Sequence, residues 1–367
     1  MRKRLDIYHS DEKLQRKIDT IQQSSMSQEN KKMILDFGDN CFAEGLSGHR
    51  VLFYLSHLER IAKWLEEDFK EASKKDIVAL LRRIEGMDYS DWTKLNYKTT
   101  LKKFYKWLAG GEEYPEQVKW IKTSKKNMNH TLPEELLTEE DITNLIRMAE
   151  HPRDKALIYV LYESGCRRGE LCSLRLMHID FDKYGAVLMV EGKTGQRRVR
   201  IISSTPNLAA WIDIHPLKEK RDAPLWVGIG TRGKNKQIDY AAIRMLLRRV
   251  AKKAGIGKRM NPHMFRHSRA THLANELTEA QMNEYFGWVQ GSEMPSTYVH
   301  LSGRDVDSAL LKMYGIKDEE AEKEVKLRPK TCVRCSQLNS TVSKFCTRCG
   351  AVLDLQTALA LEEEMSE

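Results

Sequence analysis

The sequence predicts a mainly α protein with a small β-hairpin or sheet. A helical N-terminal domain is followed by a larger α+β domain and a short cysteine-paired tail. Three observations lead there. Apolar residues recur at helical spacing through most of the first ~130 residues and resume after Thr138. The period changes only around Ala186–Ser203, where β-like runs flank a polar turn. Two Cys-x-x-Cys pairs then close the chain at 332–349. With 367 residues and 41% apolar content, the chain is long enough for two or three domains with real cores.

The elements follow in order. Residues 1–45 read as helix. Val51, Tyr54, Leu55, Leu58, Ile61, Trp64 and Leu65 mark the next helix, and Ile77, Leu80, Leu81 and Ile84 another. Trp92, Leu101, Phe104, Tyr105 and Leu108 mark a third, ended by Gly110-Gly111. This gives a helical domain over 1–121. Lys122–Pro133 is polar and basic with almost no apolar pattern, as in an interdomain linker. The second domain spans 134–316. Thr138 and Asp141 form a capping-box signature. A largely apolar helix over 153–164 ends at Gly165, and another covers about 168–176. Ala186–Glu191 and Val199–Ser203 are the hairpin strands, with Gly192–Arg198 as the turn. Helices resume over about 206–214 and 239–254, with a short apolar run at Leu225–Val227. Asn261-Pro262 starts another helix, with proline at its first turn, and helical patterning continues to Tyr314. The tail divides into a cysteine module over 328–353 and an acidic end over 354–367, expected to fray.

Composition narrows the function. No run of 18 uncharged apolar residues is present, so no membrane span is expected. The charged start MRKRLDIYHSDEK has no apolar stretch behind it, so a cytoplasmic protein is expected. The formal charge is +9. Residues 191–260 carry 17 Lys/Arg against 5 Asp/Glu, a net of +12, which leaves −3 for the rest. Such concentration suits a polyanion partner, and equally a solvated basic surface. Cys41, Cys166 and Cys172 sit in helix-like contexts and read as small buried side chains.

Four segments can carry chemistry: Ser164-Gly165-Cys166-Arg167-Arg168-Gly169-Glu170-Leu171, Lys193 in the hairpin turn, His263-Met264-Phe265-Arg266-His267, and Gly287-Trp288 followed by Tyr298. His263 and Arg266 lie three apart on a helix and share a face. The planar forks of Arg167 and Arg266 suit phosphate oxygens. Glu170 can orient Arg167. A nearby tyrosine can attack phosphorus, a hairpin lysine can protonate the departing oxygen, and Trp288 can pack under the phosphate and donate its indole N–H. Each piece alone is weak, and His267 by itself reads as a packing or capping histidine.

As an ordered set the pieces resemble the tyrosine recombinase (phage integrase) family. Ser164–Leu171 is similar to its T-G-x-R-x-x-E-L element, which would make Arg167 the first catalytic arginine and Glu170 its supporting acid. Lys193 matches the hairpin lysine, His263 and Arg266 the His-x-x-Arg box, and His267 the histidine that trails it. Gly287-Trp288 matches the Leu-Gly-His element, with Phe286 in place of leucine and Trp288 in place of the commoner histidine. Tyr298 would be the nucleophile. The resemblance implies a helical core-binding domain and an α+β catalytic domain that clamp double-stranded DNA. It further implies a site-specific recombinase that breaks and rejoins strands through a 3′-phosphotyrosyl link, with no cofactor for catalysis. A homotetramer on DNA, nucleoid association, and accessory or directionality proteins would accompany that activity. Asp305–Tyr314 would be the helix that docks on a neighbouring protomer. A type IB-like DNA-relaxing enzyme and a non-catalytic DNA-binding protein on the same scaffold are the alternatives.

Cys332-x2-Cys335 and Cys346-x2-Cys349, ten residues apart, can put four thiolates on one tetrahedral ion. A redox dithiol would need only one pair. The Cys-Val-Arg-Cys and Cys-Thr-Arg-Cys knuckles resemble a zinc ribbon of the kind carried by archaeal integrase-like proteins. Four cysteines leave no open position, so a structural Zn²⁺ is expected, for DNA contact, protomer docking or stapling of the tail.

Overall fold

The computed structural model describes residues 10–123, 135–192, 195–231, 233–274, 276–292, 294–302, 313–314, 327–354, 357–359 and 363. The chain divides into two compact units, Met1–His130 and Thr131–Glu367. The mainly helical architecture with small antiparallel sheets agrees with the sequence. No helix among the described residues is long and apolar enough to cross a membrane.

Among the described residues, the regular elements of the first unit are all helices: α1 (Ser10–Gln23), α2 (Gln28–Ala43), α3 (Gly48–Trp64), α4 (Lys74–Gly86), α5 (Asp91–Leu108) and the short α6 (Glu116–Lys119). Its starts are written in the sequence. Ser27 and Ser90 accept the backbone N–H of Asn30 and Thr93, and Ser73 with Asp76 forms a capping box. The helical stripes converge on Phe37, whose ring lies 5.4 Å from those of Phe104 and Trp107 and 5.8 Å from Tyr54. Burying each such aromatic contributes about 1.5–3 kcal/mol.

The second unit is built around α8 (Pro152–Ser164). Residues 156–164 are all buried, the signature of a helix apolar on every side. Against it pack α7 (Glu139–Met148), α10 (Thr205–Asp213) and α12 (Pro262–Leu273), and α9 (Arg168–Ser173) follows it in the chain. Among the described residues, the unit also holds the helices α11 (Tyr240–Lys253), α13 (Glu279–Phe286) and α14 (Met294–Ser302). Thr138 and Asp141 make the expected capping box on α7, and Asn261 accepts the Met264 N–H to start α12. Cys41, Cys166 and Cys172 are buried, as read.

Three local expectations are corrected. The sheet has three strands, β1 (Ile179–Asp182), β2 (Gly185–Gly192) and β3 (Gly195–Ile201), in the antiparallel order β1-β2-β3. The sequence Ile-Asp-Phe-Asp of β1 holds too few apolar residues to signal a strand. The hairpin turn is also much tighter than 192–198: Gly192 pairs with Gly195, and Val190 pairs with Arg197 inside the ladder. Finally, α9 stops at Ser173, and Leu176–His178 is a separate 3-10 turn. Most of the linker 122–133, most of the expected docking helix 305–314 and most of the acidic end lie outside the described residues.

Candidate active site

The site begins where α8 ends. Gly165 adopts φ +54°, the left-handed cap that stops the helix and turns the chain toward Arg167. A side chain there would be strained and would also meet the Phe286 ring, since a Cβ would lie 2.4 Å from its Cε1. Just before it, the buried Glu163 carboxylate accepts the backbone N–H groups of Ile202, Ser203 and Ser204 at 2.6–2.9 Å. Glu163 therefore ties the end of β3 to the turn that carries Arg167.

Arg167 is the N-cap of α9, and Glu170 at its third position reaches back to the Arg167 N–H at 2.8 Å. Arg167 Nη1 also donates to Glu170 Oε1 at 2.9 Å. The same carboxylate receives both terminal nitrogens of Arg197, at 2.8 and 2.7 Å. Glu170 is only 2% exposed. Burial alone would raise its pKa, but the Arg197 and Arg167 contacts outweigh that and hold it below the usual carboxylate range. Gly192 leaves the room: a Cβ there would fall 2.3 Å from Glu170 Oε1.

The C-terminus of α13 supplies the other wall. Its last carbonyls have no partner within the helix and carry the negative end of its dipole. Arg266 Nη2 donates to Phe286 O at 2.8 Å, and Arg167 Nη2 to Gly287 O at 2.9 Å. Arg266 Nη1 donates to Gly165 O at 2.7 Å. Two guanidiniums from distant segments thus meet at one helix end. Burial, with Arg167 beside it, lowers the Arg266 pKa to about 10. Arg266 lies over the rings of Phe286 and Trp288, 5.0 and 5.5 Å from their centroids.

Tyr298, on α14, is 2% exposed and stacks on Trp288, with centroids 5.3 Å apart and planes 3° from parallel. Its hydroxyl oxygen lies 2.6 Å from His267 Nδ1. Burial pushes the phenol up to about 12, against the pull of Arg266. His263 and His267 face the same way one turn apart on α12, with ring centroids separated by 6.3 Å. Both are held below the ordinary histidine value: His263 by burial and by Arg168, Arg266 and Arg167, and His267 by burial and by His263 and Arg266. Both rings line an open groove of about 1020 Å³, whose walls carry Arg244, Arg248, Lys252, Lys258 and Arg259 against a single acid, Glu135, among the described residues. All five cations come from the strongly basic segment of the sequence.

The structure thus brings together Arg167, Glu170, His263, Arg266, His267, Trp288 and Tyr298. Lys193 lies outside the described residues, although the strands that carry its turn are defined on both sides. Sequence reasoning missed Arg197 and Glu163. The sequence places Arg197 in the turn, and only the Gly192–Gly195 register puts it in a strand facing Glu170. Glu163 has no signal beyond a charge inside an apolar helix.

The four tail cysteines form a separate cluster. Their sulfurs all lie within 4.8 Å of one another, with Cys332–Cys349 and Cys335–Cys346 each at 3.6 Å. A disulfide needs about 2.05 Å, whereas ligands about 2.3 Å from a tetrahedral ion sit about 3.8 Å apart. The Arg334 N–H and the Asn339 Nδ2 amide point at Cys332 and Cys346 sulfurs, the contacts that orient metal-bound thiolates. The residues fit a four-thiolate metal site. The strands β4 (Lys330–Thr331) and β5 (Leu338–Asn339) frame it. Within the second unit, Tyr159 of α8 anchors this module to the helical core, with its hydroxyl 2.9 Å from Leu327 O and 3.0 Å from Thr341 Oγ1.

The phage integrase family matches residues 135–304, and the phage integrase N-terminal SAM-like domain matches 41–111. The tyrosine recombinase XerA of Pyrococcus horikoshii is 28% identical over 244 residues, covering 66% of this chain and 80% of that protein. The XerH site-specific recombinase, solved bound to its palindromic difH substrate after cleavage, has the same fold. Its TM-score is 0.59 at 17% identity, over 86% of this chain and 98% of that one. The lambda integrase tetramer solved on a Holliday junction gives 0.56 at 16% identity, over 71% and 78%. On the two family matches, which span about two thirds of its length, and on these relatives, the chain belongs to the phage integrase family of tyrosine recombinases.

Proposed function

We propose that Tyr298 is the nucleophile of a site-specific DNA recombination reaction carried out on duplex DNA. Arg167 and Arg266 bind the non-bridging oxygens of the scissile phosphate, and His263 adds a donor from the same face as Arg266. Their charge offsets the charge that builds on the equatorial oxygens as phosphorus becomes five-coordinate. Glu170, gripped by Arg197, holds Arg167 in place, and Trp288 supports Tyr298 from below. The phenolic oxygen bonds to phosphorus, the bond to the 5′ oxygen breaks, and that oxygen leaves with a proton supplied by Lys193. The 3′-phosphotyrosyl link keeps the phosphodiester energy, so a 5′-hydroxyl from another strand can attack it and rejoin the backbone.

One observation carries this reading. Arg167, Arg266, Trp288 and Tyr298 come from four separate segments, yet they converge on the C-terminus of α13. The basic groove that opens on His263 and His267 supports a polyanionic substrate at that point. A Holliday-junction tetramer in a protein of the same fold supports four copies of this chain acting together on DNA. The cysteine module is a structural zinc ribbon held by Cys332, Cys335, Cys346 and Cys349, which closes all four positions and takes no part in strand cleavage.

The test is to trap covalent complexes on a randomised duplex library, nicked near each candidate position so that the cleaved end diffuses away. Wild type should accumulate protein-linked DNA enriched in one sequence, and Tyr298→Phe should accumulate none while still binding the enriched sequence. Equal linkage by both proteins would exclude Tyr298.

A further inference from the structure

We infer that His267 is the group that accepts the proton of Tyr298 when the phenol attacks, and that returns it when the strand is rejoined. This rests on Tyr298 being the nucleophile and adds the destination of its proton.

The geometry is direct. Of the three imidazoles on α12, only His267 reaches the phenol, with Nδ1 2.6 Å from Tyr298 Oη, whereas His272 lies 2.6 Å from the Tyr162 hydroxyl. His263 sits one turn earlier, with its ring centroid 6.3 Å from that of His267. A proton acceptor must be within about 2.6–3.2 Å of the proton it takes, and His267 already is. The phenol is otherwise enclosed. Trp288 covers one face of its ring, and the residue is 2% exposed, so bulk water does not reach the hydroxyl freely. A phenol in such a place loses its proton only to a neighbour positioned to take it.

The groups around His267 favour the neutral, accepting form. His263 and Arg266 lie on its own helix and Tyr298 on α14. Across the groove stand Arg244, Arg248 and Lys252 of α11, with Tyr240 at the head of that helix, and Lys258 and Arg259 on the segment that follows. Glu135 is the one acid among them within the described residues. Burial, with His263 and Arg266 beside it, holds the imidazole below its ordinary value, so it rests neutral and takes a proton as charge leaves the phenol for phosphorus.

The step balances. Tyr298 Oη bonds to phosphorus and its proton moves to Nδ1 of His267. The bond from phosphorus to the 5′ oxygen breaks, and that oxygen is protonated from Lys193. In rejoining, a 5′-hydroxyl gives up its proton to Lys193 and attacks phosphorus. The phenolate leaves and recovers its proton from His267.

The experiment uses the full-length protein and a nicked duplex carrying the sequence enriched by wild type, with single-turnover cleavage followed from pH 5 to 9. His267→Asn keeps a polar group at the position of Nδ1 but cannot carry the proton. Its cleavage should fall 10²–10³-fold at pH 7, with duplex binding unchanged. Its rate should then climb with pH through 9, where wild type is level. A duplex with sulfur in place of the 5′ bridging oxygen needs no proton on its leaving group. It should restore Lys193→Ala and leave His267→Asn slow. A wild-type pH profile with less than threefold loss in His267→Asn overturns the inference, as does rescue by the sulfur substrate. If His263→Asn instead gives the pH-dependent defect, the proton goes to His263. Should His267→Asn and His267→Gln both unfold, wild type decides: its rate must break at the pH where His267 titrates by ¹⁵N NMR, and a break at the His263 value overturns the inference. Absence of any linkage by wild type would instead count against Tyr298 chemistry itself.

Discussion

Replacing Arg197 with alanine removes the group that sequence reasoning missed and that the geometry makes central. Arg197 gives two charge-assisted hydrogen bonds to Glu170, at 2.8 and 2.7 Å, and a third from Nε to Tyr285 O at 3.0 Å. Its side chain is 9% exposed and the Glu170 side chain 2%. Removing one partner of a buried ion pair costs about 3–5 kcal/mol, because the other charge stays buried. Here Arg167 still faces Glu170, so the low end applies, about 3 kcal/mol at pH 7. The loss should depend on pH. Glu170 is held below the range of an unfolded glutamate, so its contribution is full above about pH 4.3 and fades as pH falls through the lower folded value. The deficit of Arg197→Ala should therefore be largest at pH 7 and shrink below pH 4. Urea unfolding of both proteins at pH 7 and pH 3.5 measures this. Cleavage should fall as well, since Arg167 loses a fixed carboxylate to rest on. A deficit under 1 kcal/mol at pH 7, or one equal at both pH values, would refute the reasoning.

Three further substitutions and one treatment follow from the same geometry. Gly165→Ala should cost about 1–2 kcal/mol from the left-handed backbone alone, and more from contact with Phe286, whose carbonyl receives Arg266. Thermal unfolding should show the loss, and cleavage should drop with it. Chelation of the metal, or Cys346→Ser, should release the 327–354 module to limited proteolysis while a Tyr298-linked complex still forms; native mass spectrometry should count one zinc per chain beforehand. Tyr159→Phe removes the hydroxyl that holds Leu327 O and Thr341 Oγ1. It should loosen the same module at a cost of about 1 kcal/mol without loss of zinc.

Much of this fold is legible because its helices signal themselves twice, by apolar spacing and by their caps. Thr138 and Asn261 start their helices where the sequence places them, and Ser27, Ser73 and Ser90 prove to be caps of the same kind. The segments around Arg167, Arg266 and Tyr298 could be named from the sequence because their spacing is local. Their partners could not. Arg197 reaches Glu170 only because Gly192 and Gly195 close the hairpin tightly, and a two-residue turn between glycines looks on paper like part of a longer polar loop. Glu163 and the strand Ile179–Asp182 were lost for a similar reason: their energetics lie in contacts with residues far along the chain. The pairing of His267 with Tyr298 joins residues 31 apart, and no periodicity announces it.

The most direct test of the account is to digest the wild-type covalent complex with nuclease and protease and locate the adduct by mass spectrometry. The account predicts a single peptide containing Tyr298, carrying the remnant of a 3′-phosphodiester on its phenolic oxygen. An adduct on any other residue, or DNA cut with no adduct at all, would contradict it.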